Sequence, residues 1–75
     1  MKKAMLYPNL YAELKRYDVK IDDIGKAIGV TRSNVYTRLY GEKEITLNEA
    51  IIICSYMEKR ANKPFTIKYL FNISI

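Results

Sequence analysis

Apolar residues recur along the chain at spacings of three and four, the pattern of helices that each bury one face. The positions that carry this pattern are Leu6, Leu10 and Leu14, then Ile21, Ile24 and Ile28, then Val35 and Leu39, and finally Leu47, Ala50, Ile51, Cys54 and Met57. The predicted helices cover about residues 8–17, 21–28, 32–40 and 47–60, and a short fifth helix follows Thr66. Apart from residues 72–75, no segment alternates with the period of a strand. We therefore predict an all-α, compact five-helix domain.

Residues suited to helix ends stand where the predicted helices begin and stop. Gly29 can adopt the left-handed conformation that closes helix 2, and Gly41 can close helix 3 in the same way. Thr31 is a suitable N-cap for helix 3. Thr46 and Glu49 have the spacing of a capping box, in which each side chain satisfies a backbone N–H at the start of helix 4. The helix ends are therefore indicated independently of the apolar pattern.

The connection between predicted helices 2 and 3 is short and contains glycine. Two short helices joined by a three- or four-residue turn with Gly form a helix-turn-helix, which here covers about residues 21–40. Gly25 is the small residue that lets helix 3 pack closely on helix 2, and Val30 is expected to enter the core behind the turn. This arrangement predicts that the N-terminal half of helix 3 projects from the body.

Composition narrows the chemistry that the chain can perform. Its 75 residues suffice for one domain, which we predict to span residues 1–75. The chain has no histidine and a single cysteine, Cys54, which argues against zinc fingers, Cys-His nucleophiles and Ser-His-Asp triads. We expect no catalytic residue, no metal and no cofactor, and we interpret Cys54 as a small buried apolar residue.

The charge balance favours a polyanionic partner. Thirteen Lys and Arg residues face eight Asp and Glu residues, which gives a formal charge of +5. The stretch between Gly25 and Gly41 contains three cations and no acid. The longest apolar run, residues 50–54, is too short to cross a bilayer, and the N-terminal residues lack the pattern of a secretory signal. We therefore expect a cytoplasmic protein without a membrane partner.

Residues 21–41 read IDDIGKAIGVTRSNVYTRLYG, with the turn glycine at 29, a second glycine at 41 and apolar positions between them. This stretch resembles the helix-turn-helix of the lambda-repressor-like, or XRE-type, family of phage repressors and bacterial regulators. The resemblance extends to the preceding helix and to Thr46 and Leu47, so it covers most of the chain. It implies a lambda-repressor-like all-α fold that binds duplex DNA.

The resemblance places five side chains on the DNA-facing side of helix 3, where they would contact bases. They are Thr31, Arg32, Ser33, Tyr36 and Thr37. Side-chain chemistry agrees, because Arg32 can donate two parallel hydrogen bonds to O6 and N7 of guanine in the major groove. The candidate phosphate contacts are Lys26, Asn34, Arg38 and Lys43. Tyr40, beside the closing glycine, is expected to cover the edge of the core.

Together, the pattern and the resemblance predict a sequence-specific, double-stranded DNA-binding transcriptional regulator of the phage or prophage repressor type. A homodimer would present two recognition helices to a palindromic operator. The apolar C-terminal segment, residues 65–75, is a candidate dimer surface. The regulator would act in the cytoplasm of a bacterial or phage-infected cell, at the nucleoid, and the sequence indicates no small-molecule ligand.

Two other classes of function fit parts of the same sequence. The helical body and the apolar C-terminus would also suit a protein-interaction module of the antitoxin or anti-repressor kind. Tyr36 and Tyr40 would also suit single-stranded RNA, because aromatic rings stack on unpaired bases.

Overall fold

Five α helices follow one another in the computed structural model, which describes residues 5–73. They are α1 (Pro8–Arg16), α2 (Ile21–Ile28), α3 (Arg32–Leu39), α4 (Leu47–Ala61) and α5 (Ile67–Leu70). No strand occurs within residues 5–73, so the predicted all-helical class is confirmed. The predicted helix bounds differ from the observed ones by at most one residue for α1 to α4. Residues 74 and 75, the end of the predicted C-terminal segment, lie outside the described residues.

The helices surround one apolar core. α2 packs against α3 and α4, while α5 packs against α1 and α4. The core side chains are Tyr7, Leu10, Leu14, Val19, Ile24, Val35, Leu39, Ile53, Cys54, Met57 and Leu70. The radius of gyration of 11.4 Å equals the value of about 11 Å expected for a folded chain of this length. No helix in the described part of the chain is long and apolar enough to cross a membrane.

The turn between α2 and α3 is built as the sequence predicts. Gly29 ends α2 with a φ of 77°, in the left-handed region that glycine adopts without a steric penalty. The next residue, Val30, donates its N–H to the carbonyl of Gly25 at 2.9 Å, which closes the end of α2. Thr31 then caps α3, since its hydroxyl oxygen accepts the N–H of Asn34. Only three residues, 29–31, therefore separate α2 from α3.

Gly25 allows α3 to approach α2 closely. A Cβ atom at Gly25 would lie 2.7 Å from the backbone oxygen of Val30 and 3.3 Å from Cγ2 of Val35. The first distance is shorter than van der Waals contact, and the atom it meets is backbone that cannot rotate away. Gly25 lies within α2, and a side chain at this position would enter the space that the turn occupies.

The buried face of α4 differs from the predicted one. Ala50, Ile53, Cys54 and Met57 face the core, whereas Leu47 and Ile51 are 70% and 46% exposed. The predicted face included both exposed residues and left out Ile53. Spacings of three and four fit either set, so the neighbours of α4 decide which side is buried. The capping box at its start is confirmed, with Thr46 Oγ1 accepting the N–H of Glu49 at 3.1 Å and Glu49 Oε1 accepting the N–H of Thr46 at 3.2 Å.

The C-terminal segment is tied to α1 by polar and apolar contacts. The Tyr69 hydroxyl donates to Oε2 of the buried Glu13 at 2.7 Å, and this hydrogen bond raises the pKa of Tyr69. Leu70 is fully buried, and Phe71 packs edge-on against Tyr7 with 5.3 Å between ring centroids. Most of the apolar content of this segment therefore completes the core, which leaves Tyr69 and Ile73 as its exposed large apolar residues among those described.

Gly25→Ala is expected to lower the free energy of unfolding by about 1–3 kcal/mol, because the added methyl group must displace the turn or α3. Alanine is otherwise the better helix former by about 1 kcal/mol, so intrinsic propensity alone predicts the opposite sign. Urea unfolding followed by circular dichroism measures the difference. Lys26→Ala, an exposed neighbour on the same helix, should change stability by less than about 0.5 kcal/mol. An alanine variant as stable as the parent would refute the close approach.

Candidate nucleic-acid interface

The start of α3 is the most exposed part of the α2–α3 unit. The four consecutive residues 31–34 are all exposed, while the following Val35 is buried. Because the side chain of Thr31 caps the helix, residues 32–34 can begin a regular helix without packing against the rest of the protein. Three of the five predicted base-contacting residues are therefore exposed to solvent: Thr31, Arg32 and Ser33.

The other two predicted base-contacting residues, Tyr36 and Thr37, are half-buried one turn further along α3. The hydroxyl of Thr37 donates to the backbone oxygen of Asn34 at 2.8 Å. Its hydrogen is therefore engaged within the helix, and Thr37 can offer a partner an acceptor oxygen and a methyl group. Tyr36 stacks on Tyr40 with 6.2 Å between centroids and an interplanar angle of 20°.

Arg32 has aromatic and acidic neighbours. Its guanidinium carbon lies 5.9 Å from the ring centroid of Tyr36, within the range of a cation–π contact. A hydrogen bond with the Tyr36 side chain raises the pKa of Arg32, and the negative charge of Asp22 on α2 raises it further. Arg32 is exposed on the outer flank of α3, beside these neighbours, where a ligand can reach it.

Arg38 is placed differently from the prediction that it contacts phosphate. It is 6% exposed, and its guanidinium donates to both carboxylate oxygens of Glu49, from Nε at 3.0 Å and from Nη2 at 3.2 Å. Nη1 donates to the backbone oxygen of Asn34 at 2.8 Å. Arg38 lies on the side of α3 that faces α4, so its charge is used inside the molecule. The prediction for this residue is corrected: Arg38 joins α3 to the start of α4.

Glu49 is the centre of that junction. Its carboxylate accepts the N–H of Thr46, which caps the start of α4, and also accepts two hydrogen bonds from the guanidinium of Arg38. The hydrogen bond from Arg38 lowers the pKa of Glu49 below its ordinary value, and the N–H of Thr46 acts in the same direction. The ionised carboxylate therefore fixes the position of α3 relative to α4.

The remaining predicted phosphate contacts are exposed and frame the start of α3. Lys26 lies in the last turn of α2, Asn34 on α3 itself, and Lys43 in the loop before α4. The backbone N–H of Lys43 donates to the carbonyl of Thr37, which holds this loop against the end of α3. The structure thus brings Lys26, Asn34 and Lys43 to the surface of the α2–α3 unit and its adjoining loop.

Two features of the site are not evident from sequence reasoning. One is the Arg38–Glu49 fork, which joins residues 11 positions apart on different helices. The other is a groove of about 780 Å³ beside Arg32, bounded by α1, the loop after it and the flank of α3. One signal in the sequence pointed to the fork: α3 contains no acidic residue, so an ion-pair partner for Arg38 had to come from another element. The groove depends on the angle between α1 and α3, which no local pattern encodes.

Comparisons with protein-family models, with curated proteins and with solved structures find no match to this chain. The side chains that the fold exposes are therefore the basis for the function proposed below.

Glu49→Gln is expected to lower the free energy of unfolding by about 1–3 kcal/mol at pH 7, because it removes the ionised partner of a largely buried Arg38. The lowered pKa of Glu49 means that its ionised form favours the folded state. This contribution is complete above the ordinary glutamate pKa of 4.5 and disappears as the pH falls through the lower pKa of the folded state. Urea titrations at pH 7 and at successively lower pH values measure it.

The same substitution at the exposed Glu44 is the matched control, with an expected change below about 0.5 kcal/mol. A destabilisation by Glu49→Gln that stays constant from pH 7 to well below pH 4.5 would contradict an electrostatic role for this carboxylate.

Proposed function

We propose that this protein is a sequence-specific duplex-DNA-binding regulator of transcription, in which α2, the turn at Gly29 and α3 act as a helix-turn-helix. The observation that carries the proposal is the exposure of residues 31–34 at the start of α3 on a basic chain. In a helix-turn-helix, the first residues of the second helix reach the base edges while the first helix crosses the backbone. The resemblance of residues 21–41 to the lambda-repressor-like family supports the same role.

Base recognition would come from the outer side of α3. Arg32 has an exposed guanidinium whose donors suit the O6 and N7 acceptors of guanine, which lie side by side in the major groove. Ser33 can donate to or accept from a base edge, and Thr37 can accept a hydrogen bond or place its methyl group against thymine. Thr31 and Tyr36 complete the predicted set at the two ends of this surface.

Phosphate contacts would come from the groups that frame α3. Lys26, Asn34 and Lys43 are exposed at positions where they can bind the backbone on either side of the major groove. Arg38 is left out of this set because Glu49 occupies its donors. Its proposed contribution is indirect, since it fixes the angle at which α3 is presented.

A second copy of the chain is the proposed partner on DNA. Leu47 and Ile51 lie one turn apart on α4 and are 70% and 46% exposed, which is unusual for large aliphatic residues that belong to one helix face. Ile73, 50% exposed, is the corresponding apolar residue of the C-terminal segment. We take the α4 pair as the favoured self-association surface, because most of the C-terminal segment is used in the core.

Two copies related by a two-fold axis would place their α3 helices about 34 Å apart, one turn of B-DNA, and would select a palindromic site. Occupancy of the operator by such a dimer would repress transcription by excluding a polymerase. A phage or prophage repressor acting at the nucleoid is the specific form of the proposal.

Duplex binding is expected to weaken steeply with salt, with a log–log slope that gains about −0.9 for each phosphate neutralised. Selection of bound duplexes from a random pool identifies the preferred site, and fluorescence anisotropy measures affinity for it. Arg32→Ala should reduce discrimination at one base pair by about 1–3 kcal/mol. Lys59→Ala removes the same charge from the far end of α4 and should leave both affinity and discrimination nearly unchanged.

The result against this proposal is a flat salt dependence with no enriched sequence. If Arg32→Ala instead weakens all duplexes equally, Arg32 contacts a phosphate and does not read a base.

The double variant Leu47→Ser, Ile51→Ser is expected to reduce dimer formation on the selected duplex while leaving the fold intact, because both side chains are exposed. Analytical ultracentrifugation with and without the duplex gives the stoichiometry. Ile73→Ser is the matched control on the C-terminal segment. Loss of the dimer in the Ile73 variant alone would move the interface to the predicted segment 65–75, and a monomer bound to a single half-site would remove the dimer from the proposal.

A further inference from the structure

A groove of about 780 Å³ runs beside the start of α3, a volume within the range of about 300–1,000 Å³ typical of ligand sites. One wall is α1, the floor is the segment that joins α1 to α2, and the other wall is the flank of α3. The function proposed above uses the rim of this groove through Arg32 and Tyr36 and leaves its interior unexplained.

Aromatic rings form both walls of the groove. Tyr11 on α1 lies on one side, and the stacked pair of Tyr36 and Tyr40 lies on the other. All three residues are half-buried, so part of each side chain remains exposed beside the groove. Aromatic side chains on both sides of a groove suit a flat aromatic ligand, because stacking adds favourable energy beyond the burial of area.

Cations lie among these rings. The ammonium group of Lys15 is 5.1 Å from the Tyr11 centroid, and the guanidinium of Arg32 is 5.9 Å from the Tyr36 centroid. Lys20 adds a third cation at the floor. The positive charges therefore accompany the stacking surfaces, which is the combination that binds a base and its phosphate together.

Two carboxylates complete the lining. Asp18 is paired with Lys20 at 3.2 Å, whereas Asp22 stands in the first turn of α2 and acts electrostatically on Arg32. A carboxylate accepts two hydrogen bonds side by side. Guanine presents two adjacent N–H donors, on N1 and on the 2-amino group, whereas adenine presents one amino group beside an acceptor nitrogen.

We propose that this groove binds a guanine nucleotide, with the base between Tyr11 and the Tyr36–Tyr40 pair, the phosphate near Lys15 and Lys20, and the donor edge of guanine on Asp22. An aromatic cation fits less well, because cations outnumber carboxylates three to two along the walls. A neutral aromatic molecule would make no use of the positive charge that Lys15 brings to the groove.

Arg32 and Tyr36 belong both to this groove and to the proposed DNA surface. Nucleotide binding would draw Arg32 toward the phosphate and occupy the ring of Tyr36, so the nucleotide and duplex DNA would compete. This competition rests on the proposed function, whereas occupation of the groove does not.

Isothermal titration calorimetry with the full chain at low salt tests the site, using guanosine 5′-monophosphate, adenosine 5′-monophosphate and guanosine as probes. The chain is expected to bind one equivalent of guanosine monophosphate saturably, and the other two probes at least about tenfold more weakly.

Lys15→Ala and Tyr11→Ala should each weaken the binding of guanosine monophosphate about tenfold, and neither residue belongs to the proposed DNA surface. Asp22→Asn should remove the preference for guanine over adenine. Lys59→Ala, which removes a cation outside the groove, should have no effect.

The absence of binding at millimolar guanosine monophosphate overturns the proposal, as does equal binding of both nucleotides that Asp22→Asn leaves unchanged. Because Lys15 is exposed, its variant decides the matter even if Tyr11→Ala fails to fold. A guanine-containing single-stranded oligoribonucleotide that binds when the mononucleotide does not would also overturn it, since the groove would then read RNA.

Duplex competition separates this inference from the proposed function. Guanosine monophosphate, at a concentration near its dissociation constant for the parent chain, should lower duplex affinity in the parent chain and much less in Lys15→Ala. Nucleotide binding by a chain that binds no duplex would remove the proposed function and retain the groove. Duplex binding with no response to any nucleotide would remove the groove and retain the function.

Discussion

The close approach of α3 to α2 at Gly25 is the constraint on which the rest of the structure depends. With no side chain at that position, the Val30 carbonyl and Val35 lie directly on α2, and the turn at Gly29 fits within three residues. Val35 and Leu39 then enter the core, so the opposite side of α3 necessarily faces outward. The exposed start of α3 and the groove along its flank are both consequences of that one contact.

Two arginines on α3 show how the same side chain acquires different uses from its place on a helix. Arg38 points toward α4, where Glu49 neutralises it and the pair fixes the helix orientation. Arg32 lies on the outer flank, beside Tyr36 and near the negative charge of Asp22, and its side chain is exposed. Positive charge inside the molecule positions α3, and positive charge outside it is available to a polyanion.

The sequence predicted the helices and their ends well, because those features are local. Gly29, Thr31 and the Thr46–Glu49 box act on backbone groups within a few residues, so their effect is visible without the fold. The buried side of α4 and the inward turn of Arg38 were not predicted correctly. Both depend on the angles at which the helices cross, and an apolar spacing of three or four residues does not determine those angles. Likewise, the groove between α1 and α3 arises from residues far apart along the chain.

The central claim, that the outer start of α3 binds duplex DNA, is tested most directly by mapping amide chemical shifts of the labelled chain as its selected duplex is added. The account predicts the largest changes across residues 31–37 and at Lys26 and Lys43, with little change in the second half of α4. Changes concentrated on α4 and α5, with residues 31–37 unaffected, would contradict it.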